Sequence, residues 1–195
     1  MIQPIEKHAS QSLGRWLEGW QSENIGGLVS MAGSCLFLLG GDTSGFIVTA
    51  SFLVAEIILA RSGHTRSGYS IGCALFSFGD ALAVTSNVAA GNNIFQILLA
   101  IMAATWAIGA LRGPLAWYGA RHDNSSIVRF ADALQPLAGA LTLALRLPGM
   151  IAAVSGGNSL GAAAVACWGL ADILLGRLQD TIRRFRSGVG LRGGA

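Results

Sequence analysis

From Asn24 to Arg177 the chain is a quick succession of apolar stretches, and its charges gather in every second connection between them. The stretches lie at about 25–40, 45–60, 69–90, 94–111, 136–155 and 160–176. Several fall short of the roughly 20 residues that cross a bilayer's hydrocarbon at 1.5 Å per residue. Glycines and polar ends let such short spans thin the membrane locally or tilt little. Only 12% of the residues are charged and 52% are hydrophobic, with a mean hydropathy of +0.56. A soluble domain of this size carries about twice that share of charge. The same numbers exclude disorder, and the 27 glycines follow no triplet period, which excludes a collagen-like fibre. The fold class that remains is an all-α polytopic integral membrane protein with about six transmembrane helices.

The charges also orient the chain. Lys7 and Arg15 precede the first span; Arg61 and Arg66 lie between spans two and three. Arg112, Arg121 and Arg129 lie between spans four and five, and Arg177, Arg183, Arg184, Arg186 and Arg192 follow the sixth. With six spans all twelve fall on one face, and the opposite connections (41–44, 91–93, 156–159) carry no basic residue. The positive-inside rule places that face, with both termini, in the cytoplasm, most simply across a bacterial inner membrane. Trp16, Trp20, Tyr69, Trp117 and Tyr118 collect at the same face, as interfacial aromatics do.

Three parts follow: an N-terminal segment 1–24, one helical membrane domain 25–177 and a basic tail 178–195. The first shows no apolar run of signal-peptide length. Leu13, Trp16, Leu17 and Trp20 recur at helical spacing, which fits a helix lying on the membrane surface or a frayed polar terminus. The tail suits anionic lipid headgroups ahead of nucleic acid, which is not expected as a partner. The fifth span has two readings. Either Pro136 is its first helical residue and Pro148 kinks it, or the helix starts near Ile127 and ends at Leu147.

Residues 39–61 (LGGDTSGFIVTASFLVAEIILAR) align without a gap on 155–177 (SGGNSLGAAAVACWGLADILLGR), with eight of 23 positions identical. Glu56 falls on Asp172, each five residues before an arginine. Spans one and two would then correspond to spans five and six as a parallel internal repeat about an axis along the membrane normal. Chance matching of Ala/Gly/Leu-rich sequence is the alternative. Gly41/Gly45 and Gly157/Gly161 are G-x-x-x-G pairs at the start of each second helix. They serve either close helix packing or only the tight turn.

A parallel repeat of short hydrophobic helices, with FLLGGDTSG leading into a helix, resembles the SWEET and PQ-loop group of small transporters. The resemblance covers the two repeat pairs, about 70 residues, and is architectural. The group's Pro-Gln signature is absent, Gln135-Pro136 being the reverse order, and one expected helix is missing unless the Leu13–Trp20 segment is its remnant. The resemblance implies a transporter and assigns no site residue.

Ionisable groups inside spans are costly and face other helices or water. Asp80 lies eleven residues beyond Tyr69, about 16 Å deep, and Arg146 ten residues beyond Pro136, about 15 Å deep. Matching depth makes Asp80 and Arg146 a candidate intramembrane ion pair or part of a solute path. If the fifth span ends at Leu147, Arg146 instead snorkels to the outer interface. Ser77, Thr85, Ser86 and Asn87 would line a hydrated route or act as interhelical glue. Glu56 and Asp172 are secondary intramembrane acids about 8 Å below the cytoplasmic edge, available to basic residues at their own helix ends. Asp132, near Arg129, belongs to an interfacial connector.

The chain offers no Walker A loop, no metal-ligand spacing, no paired intramembrane histidines and no G-x-S-x-G, so neither an enzyme nor a cofactor protein is expected. Cys35, Cys73 and Cys167 sit in apolar stretches and imply no disulfide scaffold. Two functions remain: a transporter or channel for a small polar or charged solute, and a non-transporting membrane subunit of a larger envelope or secretion complex. Expected partners are the lipid bilayer, with either a homo-oligomer or membrane-complex proteins.

Overall fold

The computed structural model describes residues 22–177 together with 179, 182 and 183. The Leu13–Trp20 segment and most of the basic tail lie outside the described residues. Among those described the chain is all-helical, with no strand. The helices are α1 (Ser22–Cys35), α2 (Thr43–Ser62), α3 (Arg66–Ala83), α4 (Asn93–Ala110), α5 (Arg112–Arg121), α6 (Ser125–Ser155) and α7 (Ser159–Leu174). A 3-10 turn, Leu36–Gly40, extends α1. Three helical stretches are long and apolar enough to cross a membrane: Thr43–Ser62, Asn93–Arg121 and Ser125–Ser155.

Helix ends follow local chemistry. Asp42, Asn92 and Asn158 cap α2, α4 and α7, each side-chain oxygen accepting the amide three residues on. The expected third span, 69–90, ends early at Ala83. There the Thr85 and Ser86 hydroxyls donate to the carbonyls of Leu82 and Ala83, and this local bonding competes with continued helix. The fifth span is longer than either expectation. Asn124 caps it by accepting from the amides of Ser126 and Ile127, and α6 runs through both Pro136 and Pro148 to Ser155. Packing on α4, α5 and α7 holds α6 together where each proline forgoes a backbone bond. The short α5 fills part of the connection between the fourth and fifth expected spans.

The six longer helices close a ring. α1 packs on α2, α2 on α3, α3 on α4, α4 on α6, α6 on α7, and α7 returns to α1; α5 lies against α3 and α6. An aromatic cluster crosses the interior. Phe37 stacks on Trp168 at 5.9 Å, Phe52 meets Trp168 edge-on at 5.4 Å, and Phe76 stacks on Trp106 at 4.9 Å. Outside, Leu39, Phe46, Ile94, Leu147 and Val154 are exposed, while Ser30, Glu56, Asp80 and Asp172 are buried within. Large apolar side chains thus cover the outside as well as filling the core, while Glu56, Asp80 and Asp172 are buried, which is not the surface of a water-soluble domain.

Candidate functional site

One end of the ring is tied shut. Asp42 accepts from the Ser44 hydroxyl at 2.8 Å, the Gly45 amide at 2.7 Å and the Asn87 amide at 2.9 Å. These donors hold its carboxyl below the usual carboxylate range, the Ser44 hydroxyl contributing most. Asn87 donates back to the Gly40 carbonyl at 3.1 Å, and Asn158 donates to the carbonyl of Val88. Asn92 reaches the Ala152 carbonyl at 2.8 Å. The caps of α2 and α7 thus grip adjacent residues of the same turn, 84–91, and draw it across that end.

From the other end a cavity of about 480 Å³ enters between α1, α2, α4 and α6, past Gly63 and Gln135. That is the size of a small-ligand pocket. Tyr69, Trp106, Pro136 and Thr142 form its walls, and Glu56, Asp172 and Arg177 stand together within it. Arg177 spans the two acids, donating to Asp172 at 3.2 Å and to Glu56 at 3.4 Å. Arg146 donates from Nε to the other Asp172 oxygen at 2.9 Å, with its guanidinium 5.3 Å from the Trp168 ring centre. Ser30 donates its hydroxyl to Glu56. Beyond Glu56 and Arg177 lies a second cavity of about 10 Å³, with room for at most one water. Asp80 lines it, 1% exposed, and neither of its oxygens has a hydrogen-bond partner.

The structure therefore redistributes the expected partners. Arg146 is interior and does not snorkel, because α6 stays helical past Leu147 and keeps residue 146 inside the ring. Its carboxylate partner is Asp172; Asp80 borders the same small cavity without bonding it. Glu56 is held by Arg177 and Ser30, while Arg61 at its own helix end is exposed. Asp132 is bound by Arg66 at 2.7 Å and Arg112 at 3.3 Å, joining α3, α5 and α6; the expected neighbour Arg129 takes no part in those bonds. The four glycines divide into two kinds. Gly41 and Gly157 have φ of +69° and open space where a side chain would be, so they serve the turn. Gly45 and Gly161 serve close approach: an added Cβ would meet the Phe37 carbonyl at the first and the Phe95 ring, at 2.7 Å, at the second.

Ser30, Trp106 and Trp168 are site residues that sequence reasoning missed, whereas Arg177 holds Asp172 from its own helix end, one of the pairings the sequence offered. A signal existed for the three that were missed. Gly41-Asp42, Gly91-Asn92 and Gly157-Asn158 share one turn, with φ of +69°, +77° and +69° at the glycine and a cap at the next residue. Counting back eleven residues from each glycine reaches Ser30, Asp80 and Arg146, and all three line the small cavity. Counting forward eleven reaches Phe52, Met102 and Trp168, which line it too. Four residues further on, Glu56, Trp106 and Asp172 all line the larger one. Compared with known proteins, the chain matches no family model, no curated protein and no solved structure.

Proposed function

We propose that this chain is an integral membrane protein that carries a small polar or charged solute across the bilayer. Its architecture is then three parallel helical hairpins, α1–α2, α3–α4 and α6–α7, set around one axis along the membrane normal. Both termini are cytoplasmic, by the distribution of arginine and lysine. The cavity past Gly63 and Gln135 opens on the cytoplasmic side, and the tied turn 84–91 closes the outer side. Small transporters are often built of such repeats, with the substrate site near the midplane where the repeats meet. The architectural likeness to the SWEET and PQ-loop group belongs to this proposal.

The observation that carries the reading is the chain of charges Glu56–Arg177–Asp172–Arg146, of which the first three line the larger cavity, inside an apolar exterior. Ionisable groups are expensive at membrane depth and mark solute and ion paths. The test is to screen purified protein for thermal stabilisation by a panel of sugars, amino acids, amines and carboxylic acids. Radiolabelled uptake of the stabilising class is then measured in proteoliposomes. The reading predicts uptake that Arg177→Gln abolishes. Stoichiometric co-purification with other membrane proteins, with no uptake of any panel member, would establish the subunit reading instead.

A further inference from the structure

We propose that Asp80 is a proton-exchange site, taking up and releasing one proton at the blind end of the solute cavity. The inference deepens the transporter reading and rests on it for its physiological use, but the chemistry is local to Asp80. The groups that face the carboxyl can be named helix by helix. α1 presents Ser30, whose hydroxyl is already given to Glu56. α2 presents Phe52 and Glu56, while α4 presents Met102 and Trp106, neither titratable. α6 presents Arg146 and α7 Trp168, with Arg177 beyond Glu56. On its own helix are Phe76 and, further toward the opposite end, Cys73 and Tyr69. α5 also packs on α3, but its Arg112 is engaged at Asp132.

Charge balance then sets the state of Asp80. Glu56 and Asp172 offset Arg146 and Arg177 two against two, so an ionised Asp80 would be the surplus charge. It would also have no donor to either oxygen, the arrangement a buried carboxylate tolerates least. A neutral carboxyl group suits the surroundings seen here. A metal cation would not, because it needs a shell of several oxygens, and beside Asp80 the cavity offers only Glu56 and the Ser30 hydroxyl, already bonded to each other. On release the Asp80 O–H bond breaks and the proton passes to water, through the cavity past Glu56, to the vestibule. The carboxylate left behind is free to take Arg146, which borders the same cavity and now holds Asp172. Asp172 keeps Arg177 meanwhile. Arg146 thus has two alternative partners, and the proton on Asp80 selects between them.

The test is infrared difference spectroscopy of the full chain in lipid nanodiscs, titrated with pH and with no solute present. Wild type should show a neutral-carboxyl C=O band that fades as pH rises and returns when pH falls. The band should vanish in Asp80→Asn, shift in frequency in Asp80→Glu, and persist in Glu56→Gln and Asp172→Asn. Asp80→Glu keeps the test decisive if Asp80→Asn does not fold. A wild-type spectrum without the band, a band indifferent to pH, or a band that survives Asp80→Asn would each overturn the proposal. Loss of the transporter reading would leave these spectra unchanged, so the two failures are distinguishable.

Discussion

Arg146 shares a cavity with Glu56 and Asp80 yet holds a third acid, Asp172. Removing Asp172 leaves Arg146 inside the ring without its carboxylate, at a cost of about 3 kcal/mol or more. Asp172→Asn should cost more than Arg146→Gln, because Asp172 still has Arg177 when Arg146 is gone, whereas Asp172→Asn weakens both guanidinium contacts. In detergent unfolding, the double variant should cost less than the two singles added; strict additivity would mean the residues act independently. Asp80→Asn removes no bond and should cost less than either single. Asp42 gives a pH prediction at the closed end. Its folded-state pKa lies below its unfolded value, so its contribution is complete above the ordinary carboxylate range and is lost as pH falls through the folded pKa. Melting temperature should therefore drop below about pH 4 in wild type. In Asp42→Asn that step should be smaller. Residue counting pointed to the interior for Asp80, which is buried; for Arg146 it started from Pro136, although α6 begins at Ser125, and left an outer position open as the alternative. Their partners were not legible, because counting gives depth and not the direction a side chain takes around the ring.

Among the helices, the clearest contrast lies between glycines of one element. In α7 a Cβ at Gly161 would strike the Phe95 ring, while one at Gly169 would meet nothing within 4 Å. Gly161→Ala should therefore destabilise by about 1–3 kcal/mol through overpacking. Gly169→Ala should be neutral or stabilise by up to about 1 kcal/mol through helix propensity. Equal melting temperatures for the two variants would contradict the packing described. Apolar runs revealed where most helices lie, yet three boundaries escaped. α3 stops where hydroxyls at Thr85 and Ser86 turn back on the chain, and α6 begins at Asn124's cap, well before its apolar run. α5 has only three apolar side chains, Leu115, Trp117 and Tyr118, beyond its alanine, glycine and proline content to announce it, against two arginines, and tertiary packing completes it.

At the level of the molecule, the proposed topology predicts that reporter fusions at Gly63 and Asn124 read cytoplasmic and those at Thr43, Asn92 and Ser159 external. A cytoplasmic signal at Asn92 would dismantle the three-hairpin arrangement. The proposed correspondence of α1–α2 with α6–α7 rests on the alignment of Gly41 with Gly157, Gly45 with Gly161 and an acid five residues before an arginine. The hairpin α3–α4 offered no such alignment; it has the same glycine turn at Gly91-Asn92 and, at the same counts from it, Asp80, Met102 and Trp106 at the cavities. The ring itself is closed by α1 against α7, and its charge network by Arg177 reaching back to Glu56 on α2. If the chain is made into the membrane as proposed, α1 and Glu56 wait there without α7 and Arg177 until those emerge. A nascent chain cut short after α6 would leave Glu56 without its guanidinium and α1 with a naked face, a lesion a membrane protease can read.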